Sequence, residues 1–185
     1  MYIASQKRKE NIAEYLLYMW QIEDIIRANH LDIDSIKDTI IKPSGLSDEQ
    51  MKEMSGWYES LIDMMRREEV TEKGHLQMNK NIIGELADLN RRVLADARFE
   101  DYHKMFYATL PYIVELRAKA GDDKCGEIET CFNALYGMLM LRLKKAEVSE
   151  ETVKAVGQIA KFIAMLSKYF YLDEHDELFK DKEAD

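Results

Sequence analysis

The sequence predicts an all-α fold, and three observations predict it. Proline and glycine are scarce, 2 and 8 in 185 residues, which leaves few positions for the turns a sheet protein needs. The chain is rich in Leu, Ile, Met, Ala, Glu and Lys, side chains that lose little rotamer freedom in a helix. Apolar residues recur at three- and four-residue steps along most of its length. At 46% hydrophobic and 33% charged, a chain this long suffices for one well-buried core. The reading is a single helical domain over residues 1–172, followed by an acidic tail at 173–185 that is expected to fray. Six to seven helices are expected, packed around a central apolar helix near 124–145.

The central element is expected over Ile128 to Leu143. Ile128, Phe132, Leu135, Leu139 and Arg142 mark one face, while Cys131, Met138, Met140 and Leu141 fill others, so such a helix needs neighbours all round. Gly121 should separate it from the preceding helix, and Asp122 or Asp123 can cap it. Arg142, Lys144 and Lys145 sit where the C-terminal end of a helix dipole favours cations.

In chain order, Ile12, Tyr15, Leu16, Met19, Ile22 and Ile26 make an amphipathic helix from about Ser5 to Ala28, with Glu23 among the charges placed off its stripe. Asp32 or Asp34 can cap a short second helix through Ile41, stopped by Pro43. Ser47 and Gln50 have capping-box spacing, and they open a third helix running to Arg66 and Arg67. Met51, Met54, Trp57 or Tyr58, Leu61, Ile62 and Met65 carry its inward face. The pattern falters through Val70, Thr71 and Gly74, then resumes with Leu76, Ile83, Leu86, Leu89 or Asn90, Val93 and Leu94. A fifth helix runs from near Glu100 to Ala118 and should kink or restart at Pro111. Ser149 caps the last, whose inward residues are Val153, Val156, Ile159, Ala160, Ile163, Leu166 and Phe170.

The formal charge of −9 disfavours nucleic acid and anionic membranes, since phosphates would meet net repulsion. No apolar run is long enough to span a bilayer. Cys125 and Cys131, six residues apart at the start of the central helix, are too distant for an unstrained bridge and are expected to stay reduced. With no small-residue cleavage site after the basic N-terminus, the plain expectation is a cytoplasmic protein.

Three spacings could carry chemistry. Glu68, Glu69 and Glu72, followed by Glu85 and Asp88, resemble the acidic signature of the all-α nucleoside triphosphate pyrophosphohydrolases. There, carboxylates on two antiparallel helices hold magnesium, a cation that prefers oxygen ligands and activates water. A turn near Gly74 would leave Glu69 and Glu85 roughly 9 Å apart in height along the two axes, too far to share an ion. Glu72 with His75, and Glu100 with His103, have the one-turn spacing of di-iron carboxylate bundles. Antiparallel neighbouring helices would put their starting ends roughly 30 Å apart, which excludes one shared dimetal site. Arg98 and His103 resemble the short Arg-to-His motif of a helical ribonuclease family, for which an acidic chain is a poor host. No Gly-rich phosphate loop, Ser-His-Asp arrangement or Cys-x-x-Cys pair occurs.

Two longer segments, Lys7–Asp24 and Thr71–Asn81, resemble a small bacterial family of helical proteins that is a domain of unknown function. The resemblance implies an all-helical fold and carries over no activity, ligand or site. The leading expectation is a non-catalytic helical interaction or structural module that binds a protein partner or its own copy. Tyr15, Tyr18, Trp20, Trp57 and Tyr58 would be its anchors if exposed. It needs no cofactor. The alternative is a magnesium-dependent nucleotide hydrolase using Glu68, Glu69, Glu72, Glu85 and Asp88.

Overall fold

The computed structural model describes residues 2–119 and 125–180, and every regular element among them is helical. The order is α1 Tyr2–Glu10, α2 Ile12–Ala28, α3 Ile33–Ile36, α4 Asp48–Arg67, α5 Gln77–Leu94, α6 Glu100–Lys119, α7 Glu127–Leu143 and α8 Glu150–Glu174. Between α3 and α4 lie a π-helical turn, Lys37–Ile41, and a 3₁₀ turn, Lys42–Ser44. Among the described residues there is one α-helix more than expected, because the first predicted helix is two. The Asn11 side chain accepts a hydrogen bond from the Ala13 amide at 3.0 Å, so Asn11 caps a new helix instead of continuing the old one.

The chain divides into two compact units. The first holds residues up to Glu10 and Glu14–Ile82, the second Asn11–Ala13 and Ile83 onward. In the first unit the core is built from Leu16, Met19, Trp20, Ile22 and Ile26 of α2, Ile36 and Ile41, and Tyr58, Leu61, Ile62 and Met65 of α4. Local signals act as expected here. The Asp32 side chain accepts from the Asp34 amide to start α3, Ser47 and Gln50 close a complete capping box on α4, and Pro43 lies in the 3₁₀ turn that ends at left-handed Gly45.

The second unit takes Leu86, Leu89 and Val93 of α5, Tyr102, Phe106 and Ile113 of α6, Ile128, Cys131 and Phe132 of α7, and Ile159, Phe162, Ile163 and Leu166 of α8 into its core. Tyr102 and Phe106 meet Phe162 at 5.7 and 5.6 Å between ring centroids, and the Tyr102 hydroxyl donates to Asn90 at 2.7 Å. Helix α6 runs unbroken through Pro111. The carbonyl four residues back is that of Tyr107, and both residues are exposed, so water can take the place of the missing amide.

Three expectations need correction. The helix expected at the centre is present as α7, but its last turn is not enclosed. Ile128, Cys131, Phe132 and Met138 are buried, Leu135, Leu139 and Met140 are half-buried, and Leu141 and Leu143 are 38% and 65% exposed. Its cap is Gly126; Gly121, Asp122 and Asp123 lie outside the described residues. On α8, Val153 is exposed and the buried stripe begins at Val156. The acidic stretch after residue 172 is held at its start: Arg92 pairs with Asp173 and lies over the Phe179 ring, which meets Phe99 edge-on at 5.5 Å. One aromatic residue in an acidic run is enough to anchor it. No helix among the described residues is long and apolar enough to cross a membrane.

Candidate functional site

Helix α5 begins without a capping residue of its own. Leu76 occupies the N-cap position, its carbonyl accepting from the Lys80 amide at 3.1 Å, and a leucine side chain cannot satisfy the orphan amides of a helix start. Acidic residues distant in sequence do so instead. The Leu76 amide donates to Glu23 Oε1 at 2.9 Å and the Gln77 amide to Glu68 Oε2 at 2.5 Å. Two carboxylates thus face the positive end of the α5 dipole.

Glu23 is the centre of a larger network in the first unit. It is 1% exposed, a burial an ionised carboxylate tolerates only when its lone pairs are occupied. Oε1 also accepts from Asn79 Nδ2 at 2.7 Å, and Oε2 lies 2.6 Å from His75 Nδ1. A carboxylate only accepts, so Nδ1 carries the imidazole proton. The His75 ring stacks on Trp20 at 4.0 Å with 10° between the planes. Arg27, one turn along α2, places Nη2 4.0 Å from Glu23, bonds Asp24 at 2.8 Å, and donates to the carbonyls of Val70 at 3.1 Å and of Gly74. Helix α2 therefore clasps both the loop after α4 and the start of α5. Chemically this is a fastening: both Glu23 oxygens accept hydrogen bonds from groups at the start of α5. The two segments that carried the family resemblance, Lys7–Asp24 and Thr71–Asn81, meet here.

The acids proposed for magnesium are engaged singly. Glu68 caps α5, and Glu69 sits in the left-handed conformation at the end of α4, φ 58°. Glu72 and Glu85 are exposed, and Asp88 pairs with Arg91 and Arg92. Among the described residues, no group of three or more His, Cys, Asp or Glu is placed to hold a metal ion. His75 bonds Glu23 and not Glu72, His103 Nε2 lies 3.2 Å from the Val93 carbonyl, and Arg98 is tied to Asp96. Neither the Glu-x-x-His pairs nor the Arg-to-His spacing forms a site.

The aromatic anchors also change role. Tyr15, Trp20 and Tyr58 are buried at 5%, 2% and 1% exposure, while Tyr18 and Trp57 are half-buried. Burial pushes the Tyr58 phenol up to about 12. Tyr15, Trp20 and Tyr58 belong to the core of the first unit, while Tyr18 and Trp57 keep part of their surface. In the second unit, burial and then Glu127 push the Cys131 thiol up to about 12. Cys125 is half-buried, and both cysteines are free thiols. An open groove of about 600 Å³ is lined by Gly84, Ala87, Arg91, Leu94 and Ile128.

Large apolar side chains are also left exposed at the last turns of α7. Beyond Leu141 and Leu143 stand Arg142, Lys144 and Lys145, all exposed, and none of these three cations has an ion pair among the described residues. The end itself closes as a Schellman motif, Ala146 amide to Leu141 carbonyl at 3.0 Å and Lys145 amide to Arg142 carbonyl at 3.0 Å, with Lys145 at φ 52°.

Residues 1–177 match the family described as Domain of unknown function (DUF4924). No curated protein and no solved structure matches the chain.

Proposed function

The chain belongs to the DUF4924 family, and we propose that it is a non-catalytic, cytoplasmic protein-interaction module whose contact surface is the end of α7. The observation that carries this reading is the pair of leucines, Leu141 and Leu143, left 38% and 65% exposed on an otherwise apolar helix. Single exposed leucines are ordinary, but Leu143 stands one turn beyond half-buried Leu139 on the same side of the helix, past the edge of the core. The Glu23 network supports the non-catalytic part of the reading, because both carboxylate oxygens bond groups at the start of α5.

The test is a photo-crosslinking residue at position 143, compared with the same residue at Lys161, an exposed position of α8, in cells that express the protein natively. A discrete adduct at position 143 and none at 161 is the expected result. Equal patterns at both positions, or no adduct at 143, would overturn it.

A further inference from the structure

We propose that the open groove between α5 and the start of α7, in the second unit, binds a small primary amine that carries a carbonyl oxygen and an apolar group. The groove shares no residue with the surface at the end of α7. It exists because α5 presents side chains too small to fill it: Gly84 and Ala87 on the helix and Ala95 just past its end. Leu94 and Ile128 supply the apolar wall of a space of about 600 Å³. A Cβ added at Gly84 would meet no atom within 4 Å, so this glycine is not there to let another helix come close.

Asn90 gives the groove its polar point. It lines the groove and is 5% exposed. Tyr102 is fully buried, so its hydroxyl must give its proton to an acceptor, and it donates to Asn90 Oδ1 at 2.7 Å. That bond fixes the orientation of the amide. Nδ2 is left with two hydrogens and no hydrogen-bond partner among the described residues. A donor so nearly buried calls for a carbonyl oxygen.

Glu127 sets the charge. Arg91 and Arg92 both pair with Asp88, whereas Glu127, half-buried, has no ion pair among the described residues. An unpaired carboxylate beside an unused amide is complemented by an ammonium with a carbonyl next to it. An anion is the rival ligand, since no side chain caps the first turn of α7 and helix starts attract negative charge. That turn already carries Glu127 and Glu129, however, and Arg91 is committed to Asp88.

The experiment is a titration of the isotope-labelled full chain with L-leucinamide at about pH 6.5, where its amine is charged. The NMR signals of the Asn90 side-chain amide and the Ile128 backbone amide should shift with a Kd on the order of 1 mM. N-acetyl-L-leucinamide, which lacks the ammonium, should bind at least about tenfold more weakly. Isoamylamine, which lacks the carbonyl, should bind at least about fivefold more weakly. Glu127→Gln should weaken leucinamide about fivefold or more, and Gly84→Leu should abolish binding by filling the groove. Leucine at position 84 has open space and a better helix propensity than glycine, and unchanged helical CD confirms that both variants are folded.

No shift at about 20 mM leucinamide, equal affinity for either truncated compound, or unchanged affinity in Glu127→Gln or Gly84→Leu would overturn the proposal. So would tighter binding of inorganic phosphate at the same signals, which would make the groove an anion site.

Discussion

Replacing Glu23 tests the fastening of α5 most directly. In Glu23→Ala the Leu76 amide, Asn79 Nδ2 and His75 Nδ1 lose their acceptor, and Arg27 loses a carboxylate 4.0 Å away. Each hydrogen bond to a charged group is worth about 1.5–3 kcal/mol, but three bonds to one carboxylate are not additive. Removing one partner from a buried charged network costs about 3–5 kcal/mol, and that is the expected loss for Glu23→Ala. Glu23→Gln keeps one carbonyl oxygen for Leu76 and Asn79 and should lose about 1–3 kcal/mol. Both tryptophans, Trp20 and Trp57, lie in the first unit, so urea unfolding followed by their fluorescence reports that unit, while CD reports the whole chain. Hydrogen exchange at the amides of Leu76 and Gln77 should accelerate in both variants before that of Leu86 or Val93 does. If Glu23→Ala stays within about 1 kcal/mol of the wild type, or the two amides keep their protection, Glu23 does not hold the start of α5.

Further outcomes follow from the caps, the core and the buried acids. Glu69, like His30, Lys145 and Asp176, is a non-glycine residue in the left-handed position of a Schellman cap, so Glu69→Gly should stabilise the first unit by about 0.5–1 kcal/mol; equal stability in Glu69→Ala would contradict this. Ser167 is buried with no hydrogen-bond partner for its hydroxyl among the described residues. Ser167→Ala should therefore raise stability by about 1 kcal/mol, and a loss above about 0.5 kcal/mol would show that the hydroxyl has a use. Burial pushes the Cys131 thiol and the Tyr58 phenol up to about 12, from ordinary values of 9.0 and 10.0. The folded chain keeps protons that the unfolded chain releases, so their contribution is complete below pH 9 and is lost as pH rises towards 12. Urea midpoints measured from pH 8 to 11 should fall less steeply in Cys131→Ala and Tyr58→Phe than in the wild type; parallel slopes would refute the assignment. At pH 8, a thiol reagent should modify Cys125 well before Cys131.

Local chemistry was legible in the sequence where it acts over a few residues. Ser47 with Gln50, Asp32 and Ser149 each cap the helix their spacing implied. Long-range chemistry was not. Glu23 reads as one more charge on an amphipathic helix, yet it lies with Met19, Ile22 and Ile26 at i, i+3, i+4 and i+7 steps, on the buried arc. Asn79 likewise stands in line with Ile82 and Leu86 of α5. Polar residues in register with an apolar stripe were the available signal, and only their partners 52 to 56 residues away give it meaning. The ends of α2, α4 and α7 fall at Ala28, Arg67 and Leu143 as the fading apolar pattern implies, although no glycine marks them and the left-handed caps there are His30, Glu69 and Lys145. The enclosure of α7 was over-read: an apolar circumference states what a helix prefers to cover, and among the described residues burial stops at Met138, short of the last turn.

An α5 that borrows its acceptors has an order built into its assembly. During synthesis α2 leaves the ribosome first, and the opening turn of α5 finds Glu23 and Glu68 already present. A circularly permuted chain in which α2 is made last would emerge with Gln77 still met by Glu68 but with the Leu76 amide and Asn79 answered only by water until the final helix arrived. The native arrangement spares the nascent protein that interval.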